Sequence, residues 1–165
     1  MRRLTFCALT AVLFVHTAVV AAAPPQAGAE IKRLDAFVGK WRLNVEIKAT
    51  ATTQAFSASG TEDCELFANM HVVCKTDAGA YRSMRTMSFV PAVKQYGAYT
   101  VDSYGYTLYA LGTEKGGTWT FASEAGGYKA RVTYRTTRDS YTATSEYAGP
   151  DGKWVTTAIT KATRN

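Results

Sequence analysis

The chain has 165 residues, of which 47% are hydrophobic and 19% charged, and a formal net charge of +6. That balance suits one compact domain and argues against a disordered chain or two separate domains. The Lys and Arg residues are spread along the chain rather than gathered in a block, so the surplus aids solubility and offers no nucleic-acid-binding run.

Arg2 and Arg3 precede an uncharged apolar run from Leu4 to Val20, and Ala21-Ala22-Ala23 supplies an A-x-A pattern ahead of Pro24-Pro25. A run this short, followed by small residues and prolines, fits a cleaved secretory signal peptide better than a membrane anchor. Residues 1–23 are therefore expected to be a signal peptide, 24–29 a Pro/Gly/Ala linker and 30–165 the folded domain. The expected location is secreted or periplasmic, with no membrane span after cleavage and no nucleic-acid partner. Loss of Arg2 and Arg3 leaves 17 basic against 13 acidic residues, a charge of +4.

From Glu30 to Phe37 the apolar positions Ile31, Leu34 and Phe37 have the spacing of one short helical face, and Gly39 ends it. The period then changes to two. Trp41, Leu43, Val45 and Ile47 alternate with Arg42, Asn44, Glu46 and Lys48, which predicts a strand with one buried and one wet face. A second strand is expected from about Gln54 to Phe67, with Gly60 marking a bulge or sharp bend. A third runs from about Met70 to Thr76, and a fourth from Tyr81 to Val90, stopping at Pro91. Six more are expected over Tyr96–Ser103, Tyr104–Leu111, Gly117–Ser123, Tyr128–Thr137, Tyr141–Tyr147 and Trp154–Lys161, separated by turns rich in Gly, Asp, Ser and Pro.

Ten short strands with uniformly short connections and no helix long enough to cover a sheet predict an all-β fold: a closed up-and-down antiparallel β-barrel with a short N-terminal helix. The two cysteines beyond the signal sequence, Cys64 and Cys74, are equidistant from Asn69. A hairpin centred there would place them face to face, and an exported chain would join them in a disulfide. A Cys-x9-Cys spacing with one remaining histidine is poor ligand arithmetic, so no metal site is expected.

Gly39-Lys40-Trp41 behind a short helix resembles the Gly-x-Trp entry of lipocalin-like (calycin) barrels. Further landmarks follow in order: Cys64 with Val72-Val73-Cys74, Tyr96 with Tyr99, Asp102-Ser103-Tyr104-Gly105, Gly112, Trp119-Thr120, Arg131-Val132-Thr133, and Asp151-Gly152-Lys153-Trp154 before Lys161-Ala162-Thr163-Arg164. Over about residues 34 to 164 they resemble the bacterial secreted family known as domain of unknown function fifteen-seventy-nine. The pattern departs at Phe89-Val90-Pro91 and at Ala148-Gly149-Pro150. The resemblance implies a calycin-type barrel and brings no catalytic residues with it.

The residues themselves point to binding rather than to a reaction. His71 is the one histidine after the signal sequence and no Gly-x-Ser-x-Gly context occurs, so a hydrolytic triad is not expected. No cofactor is expected either; haem on His71 is the alternative to a surface histidine. The glycines between Gly112 and Gly117 lack a Gly-Lys-Ser/Thr ending and suit a hairpin loop. Glu62, Asp63 and Glu65 are expected as solvated edge charges, and Lys129, Arg131 and Arg135 as an outward strand face. Trp41, Trp119 and Trp154 are expected to anchor barrel closure.

Aromatic residues are spread over most strands. A ten-stranded barrel is wide enough for a cavity, and Tyr hydroxyls on apolar walls suit a partly polar small molecule. The expected interior lining is Trp41, Met84, Tyr96, Tyr99, Tyr106, Trp119, Phe121 and Tyr134. The expected function is binding of a small apolar or aromatic molecule. The alternatives are an enzyme using Tyr, Arg or Asp groups in the same cavity and a solid-core interaction module.

Overall fold

The computed structural model describes residues 28–165; the expected signal peptide and most of the linker lie outside the described residues. The chain opens with α1 (Ala29–Arg33) and a 3-10 turn (Leu34–Ala36). Ten strands follow: β1 (Gly39–Ile47), β2 (Phe56–Phe67), β3 (His71–Ala78), β4 (Tyr81–Val90), β5 (Gln95–Asp102), β6 (Thr107–Lys115), β7 (Thr118–Ala125), β8 (Tyr128–Thr136), β9 (Ser140–Ala148) and β10 (Trp154–Arg164). Each strand pairs antiparallel with the next, and β10 returns to pair with β1, closing the barrel. Among the described residues no helix is long and apolar enough to cross a membrane.

The alternation of β1 decides which face is inside. Trp41 and Leu43 are buried, while Arg42 and Asn44 are exposed. One end of the barrel is filled. α1 and the 3-10 turn bring Ile31, Leu34 and Phe37 across it, all buried. Phe37 meets Trp119 and Tyr134 edge-on, with ring centroids 5.2 Å apart in each case, the geometry that the ring quadrupole favours. Tyr96 donates from its hydroxyl to the Glu30 carbonyl at 3.2 Å, tying the helix to β5.

Trp41 locks this end. Its Nε1 donates to the Phe37 carbonyl at 2.9 Å, and the Arg164 guanidinium lies 4.2 Å from its ring centroid. Arg164 also donates from Nη1 to the Val38 carbonyl at 2.7 Å and from Nε to the Arg138 carbonyl at 3.1 Å. Gly39 makes room for this: its φ is +137°, and a Cβ there would stand 2.1 Å from Arg164 Nη1. Trp119 joins the same packed end as expected, whereas Trp154 is partly exposed, its ring covered on one side by Arg131 at 4.2 Å.

Several expected strand limits shift, most of all the end of β6, which runs on through Gly112, expected in a hairpin loop, to Lys115 and leaves the turn to Gly116 and Gly117. β6 begins at Thr107 and not at Tyr104, because the Asp102 carboxylate accepts from the Tyr104 and Tyr106 amides at 2.9 and 3.0 Å and holds that segment as a turn. β10 runs on to Arg164, since its last residues pair with the start of β1, Trp41 opposite Arg164. Gly60 carries no register shift. It serves a close approach instead, a Cβ there falling 2.3 Å from the Asp77 carbonyl oxygen. The register shift lies in β10, between Thr156 and Ala158.

Cys64 and Cys74 stand opposite one another on β2 and β3 and form a disulfide. The intervening turn takes positive φ at Ala68 and Asn69, the conformation that matches the twist of a tight hairpin. Both sulfurs belong to the buried interior.

Two outcomes follow. Gly39→Val should lower stability by on the order of 1–3 kcal/mol, from the strained φ and the clash with Arg164, read as a lower urea midpoint. Cys64→Ala with Cys74→Ala should cost roughly 2–4 kcal/mol, and the wild type in reductant should approach that double variant; equal midpoints for all three would contradict a stabilising role.

Candidate functional site

Midway along the barrel the interior changes character. Glu62 on β2 points inward and is buried, and Arg85 on β4 meets it, Nη2 to Oε1 at 3.1 Å, with side chains only 4% and 14% exposed. The second Glu62 oxygen accepts from the Tyr141 hydroxyl at 2.7 Å, and Thr76 donates to Oε1 at 3.0 Å. Arg85 donates from Nη1 to the Tyr134 hydroxyl. Two charges taken out of water are tolerated only when so paired and hydrogen-bonded. Arg85 Nε is buried without a partner among the described residues.

The expectation that Glu62 is a solvated edge charge is corrected here. Glu62 and Cys64 are two residues apart and share a pleat, so both face inward; Asp63 and Glu65, on the other pleat, are exposed. Arg85 likewise shares the inner pleat with Met87, which is fully buried. Lys129, Arg131 and Arg135 behave as expected of an outward face, with Arg131 forming a two-pronged pair with Glu146 at 2.6 and 3.0 Å.

Beyond the ion pair the barrel opens. A cavity of about 50 Å³ lies against Arg85, Tyr134 and Phe121, and counting the open mouth above it the empty space is about 390 Å³. Small side chains make the room: Ala98, Ala110 and Ala130 line the walls, with Leu108 and Val132 apolar and the Thr100 and Ser123 hydroxyls polar. The enclosed part holds a few waters or one end of a ligand, and the mouth gives the rest of a small molecule somewhere to lie.

The expected lining residues divide into three groups. Phe121 and Tyr134 line the cavity. Trp41, Tyr96 and Trp119 face inward but belong to the packed end. Met84, Tyr99 and Tyr106 do not line the interior: they are 44%, 46% and 70% exposed. Met84 and Tyr99 lie on the outward pleats of β4 and β5, and Tyr106 sits in the turn before β6. Arg85, Tyr141, Thr100 and Ser123 join the site with no expectation from the sequence, and Glu62 against the expectation of an edge charge. Their sole sequence signal is a shared pleat with a buried neighbour. His71 is on the outward pleat of β3, alternate to Val72 and Cys74, so a haem held by it would sit outside the barrel.

Burial and charge tune the network. Burial raises the Tyr134 pKa, with Arg85 opposing and Glu62 adding to it. Burial also raises that of Tyr141, reinforced by the neighbouring Glu62 carboxylate. Burial disfavours the Arg85 cation, but Glu62 and the surrounding tyrosines together outweigh it and its pKa is raised.

Set against models of known protein families and against curated protein sequences, the chain matches none. Solved structures do match. The crystal structure of Rv2717c from M. tuberculosis superposes with a TM-score of 0.65 over 85% of this chain and 99% of that one, at 11% identity. The S-type phycobiliprotein lyase CPES from Guillardia theta gives 0.56 over 81% and 91%, also at 11% identity. The fold is a lipocalin-like, calycin-type ten-stranded barrel. At this identity the likeness extends to the fold alone.

The phenols give a pH prediction. Their folded pKa values lie above the unfolded value near 10, so above about pH 10 the unfolded chain sheds protons that the folded chain retains, and stability falls as pH rises. Urea midpoints should be flat up to about pH 9 and drop beyond 10, more steeply than in Tyr134→Phe; identical slopes would show that Tyr134 titrates as if exposed.

Proposed function

We propose that the barrel binds a small, largely apolar or aromatic molecule through its open end, with an oxygen acceptor on the ligand seated against Arg85 and Tyr134. The observation that carries this reading is a guanidinium, its side chain 14% exposed, bordering an otherwise mostly apolar cavity, where a charge-assisted hydrogen bond to a ligand acceptor is stronger than in water. Alanine walls and two hydroxyls supply the rest of a mostly apolar site with a few convergent polar groups.

Binding is favoured over catalysis. General acid–base work needs a group titrating near the working pH. The titratable residues lining the cavity, Arg85, Arg131 and Tyr134, are all shifted upward, away from neutrality. Glu62 is occupied by Arg85, Thr76 and Tyr141. We further infer that the chain is exported, on the signal-like residues 1–23 and a disulfide suited to an oxidising compartment, and that it belongs with the secreted family named above, on the landmarks it shares.

The test uses an aromatic anion, 1-anilinonaphthalene-8-sulfonate, and its neutral counterpart N-phenyl-1-naphthylamine as fluorescent probes. The anion should bind with micromolar affinity, and Ala130→Leu, which fills the cavity, should weaken both probes at least tenfold, about 1.4 kcal/mol. Arg85→Met alone strands Glu62, so Glu62→Leu with Arg85→Met is the informative variant; it should lose the preference for the anion while remaining folded. Equal affinity of the wild type for both probes would remove the acceptor, and no effect of Ala130→Leu would remove the cavity.

A further inference from the structure

The outside of the barrel has two unlike halves. Across β7, β8, β9, β10 and β1 the outward residues are mostly polar, among them Thr120, Arg131, Thr133, Thr142, Lys161 and Arg42, with the Trp154 ring covered by Arg131. Across β2 to β6 they include a cluster of large apolar side chains among polar neighbours. Phe67, Met84, Tyr99 and Tyr109 are 60%, 44%, 46% and 54% exposed, and they lie on neighbouring rungs: Glu65, Val73, Thr86, Tyr99 and Tyr109 are successive partners across the five strands. A groove of about 460 Å³ runs through it, bounded by Phe67, His71, Val73 and Met84, with Glu65 and Lys75 at its sides. Contiguous exposed apolar surface of this kind marks a contact with another molecule.

The charges choose the occupant. Glu65 and Lys75 have no ion-pair partner among the described residues, although most other charges on this face do, including Asp63 with Lys40 and Asp77 with Arg82. Glu65 lies opposite Val73, and Lys75 follows Val73 by two residues on β3, so the two charges flank one apolar spot. A patch with one unpaired charge of each sign about its centre is self-complementary under two-fold rotation. We propose that this face pairs with a second copy of the chain, Glu65 of each copy meeting Lys75 of the other over a shared core of Phe67, Val73, Met84 and Tyr99. The mouth of the barrel lies at the end of the strands and stays open in this arrangement, so this pairing and the proposed ligand binding stand or fall separately.

Sedimentation velocity across a concentration series tests it. The protein should be dimeric well below about 100 µM. Met84→Lys should weaken association at least tenfold and leave anilinonaphthalene sulfonate binding in the barrel unchanged. Glu65→Lys and Lys75→Glu should each weaken it, and the double exchange should restore it to within a few-fold of wild type. A wild type still monomeric at about 100 µM, or a dimer indifferent to Met84→Lys, overturns the proposal. So do charge variants whose combination fails to recover, and a monomer that instead binds zwitterionic vesicles through this face.

Discussion

The pairing of β10 with β1 is the constraint on which the rest depends. Closure removes the exposed edges that an open ten-stranded sheet would present, but it also creates an interior wider than strand side chains alone fill. The chain answers at one end with residues that are not in the barrel wall. Ile31, Leu34 and Phe37 descend from the N-terminal segment, and the Phe37 ring meets those of Trp119, Tyr134 and Tyr141 edge-on. Trp41 stands where the first and last strands join. Arg164, its register partner, lies over its ring and donates to carbonyls on both sides of the seam.

Glu62 and Arg85 mark where the filled half stops. A buried carboxylate or guanidinium alone would cost several kcal/mol, and neither can move without stranding the other. Their partners, Thr76, Tyr134 and Tyr141, come from three different strands, so the network braces the barrel across its width. It also sets the chemistry of what lies above. The cavity has a cationic, hydrogen-bonding floor and alanine walls, an asymmetry that orients any ligand entering from the mouth.

Much of the architecture was legible in local pattern. Period-two alternation and recurrent turn residues reported ten strands and their order, and short connections admitted little besides a meander. The symmetry of Cys64 and Cys74 about Asn69 placed them in register. The interior was less legible, because alternation separates two faces without saying which is inside when both are apolar. In β4 the inward set is Tyr81, Ser83, Arg85, Met87 and Phe89 and the outward set Arg82, Met84, Thr86, Ser88 and Val90, each with an arginine and a methionine, so the position of Met84 alone does not reveal its face. Tyr99 misleads in the same way, since the outward pleat of β5 is as aromatic as the inward one.

What the sequence by itself determined is therefore what depends on neighbours within a few residues: strand, turn and period, the register of one hairpin, and the glycine and tryptophan that open the barrel. Only the tertiary structure decided which rings pack the closed end and which border the cavity, and that Glu62 and Arg85 meet across non-adjacent strands. The physical reason is depth. A side chain's environment in a barrel is set by how far along the axis its strand has carried it and by what closure brings opposite, and neither quantity is written in the spacing of residues along a single strand.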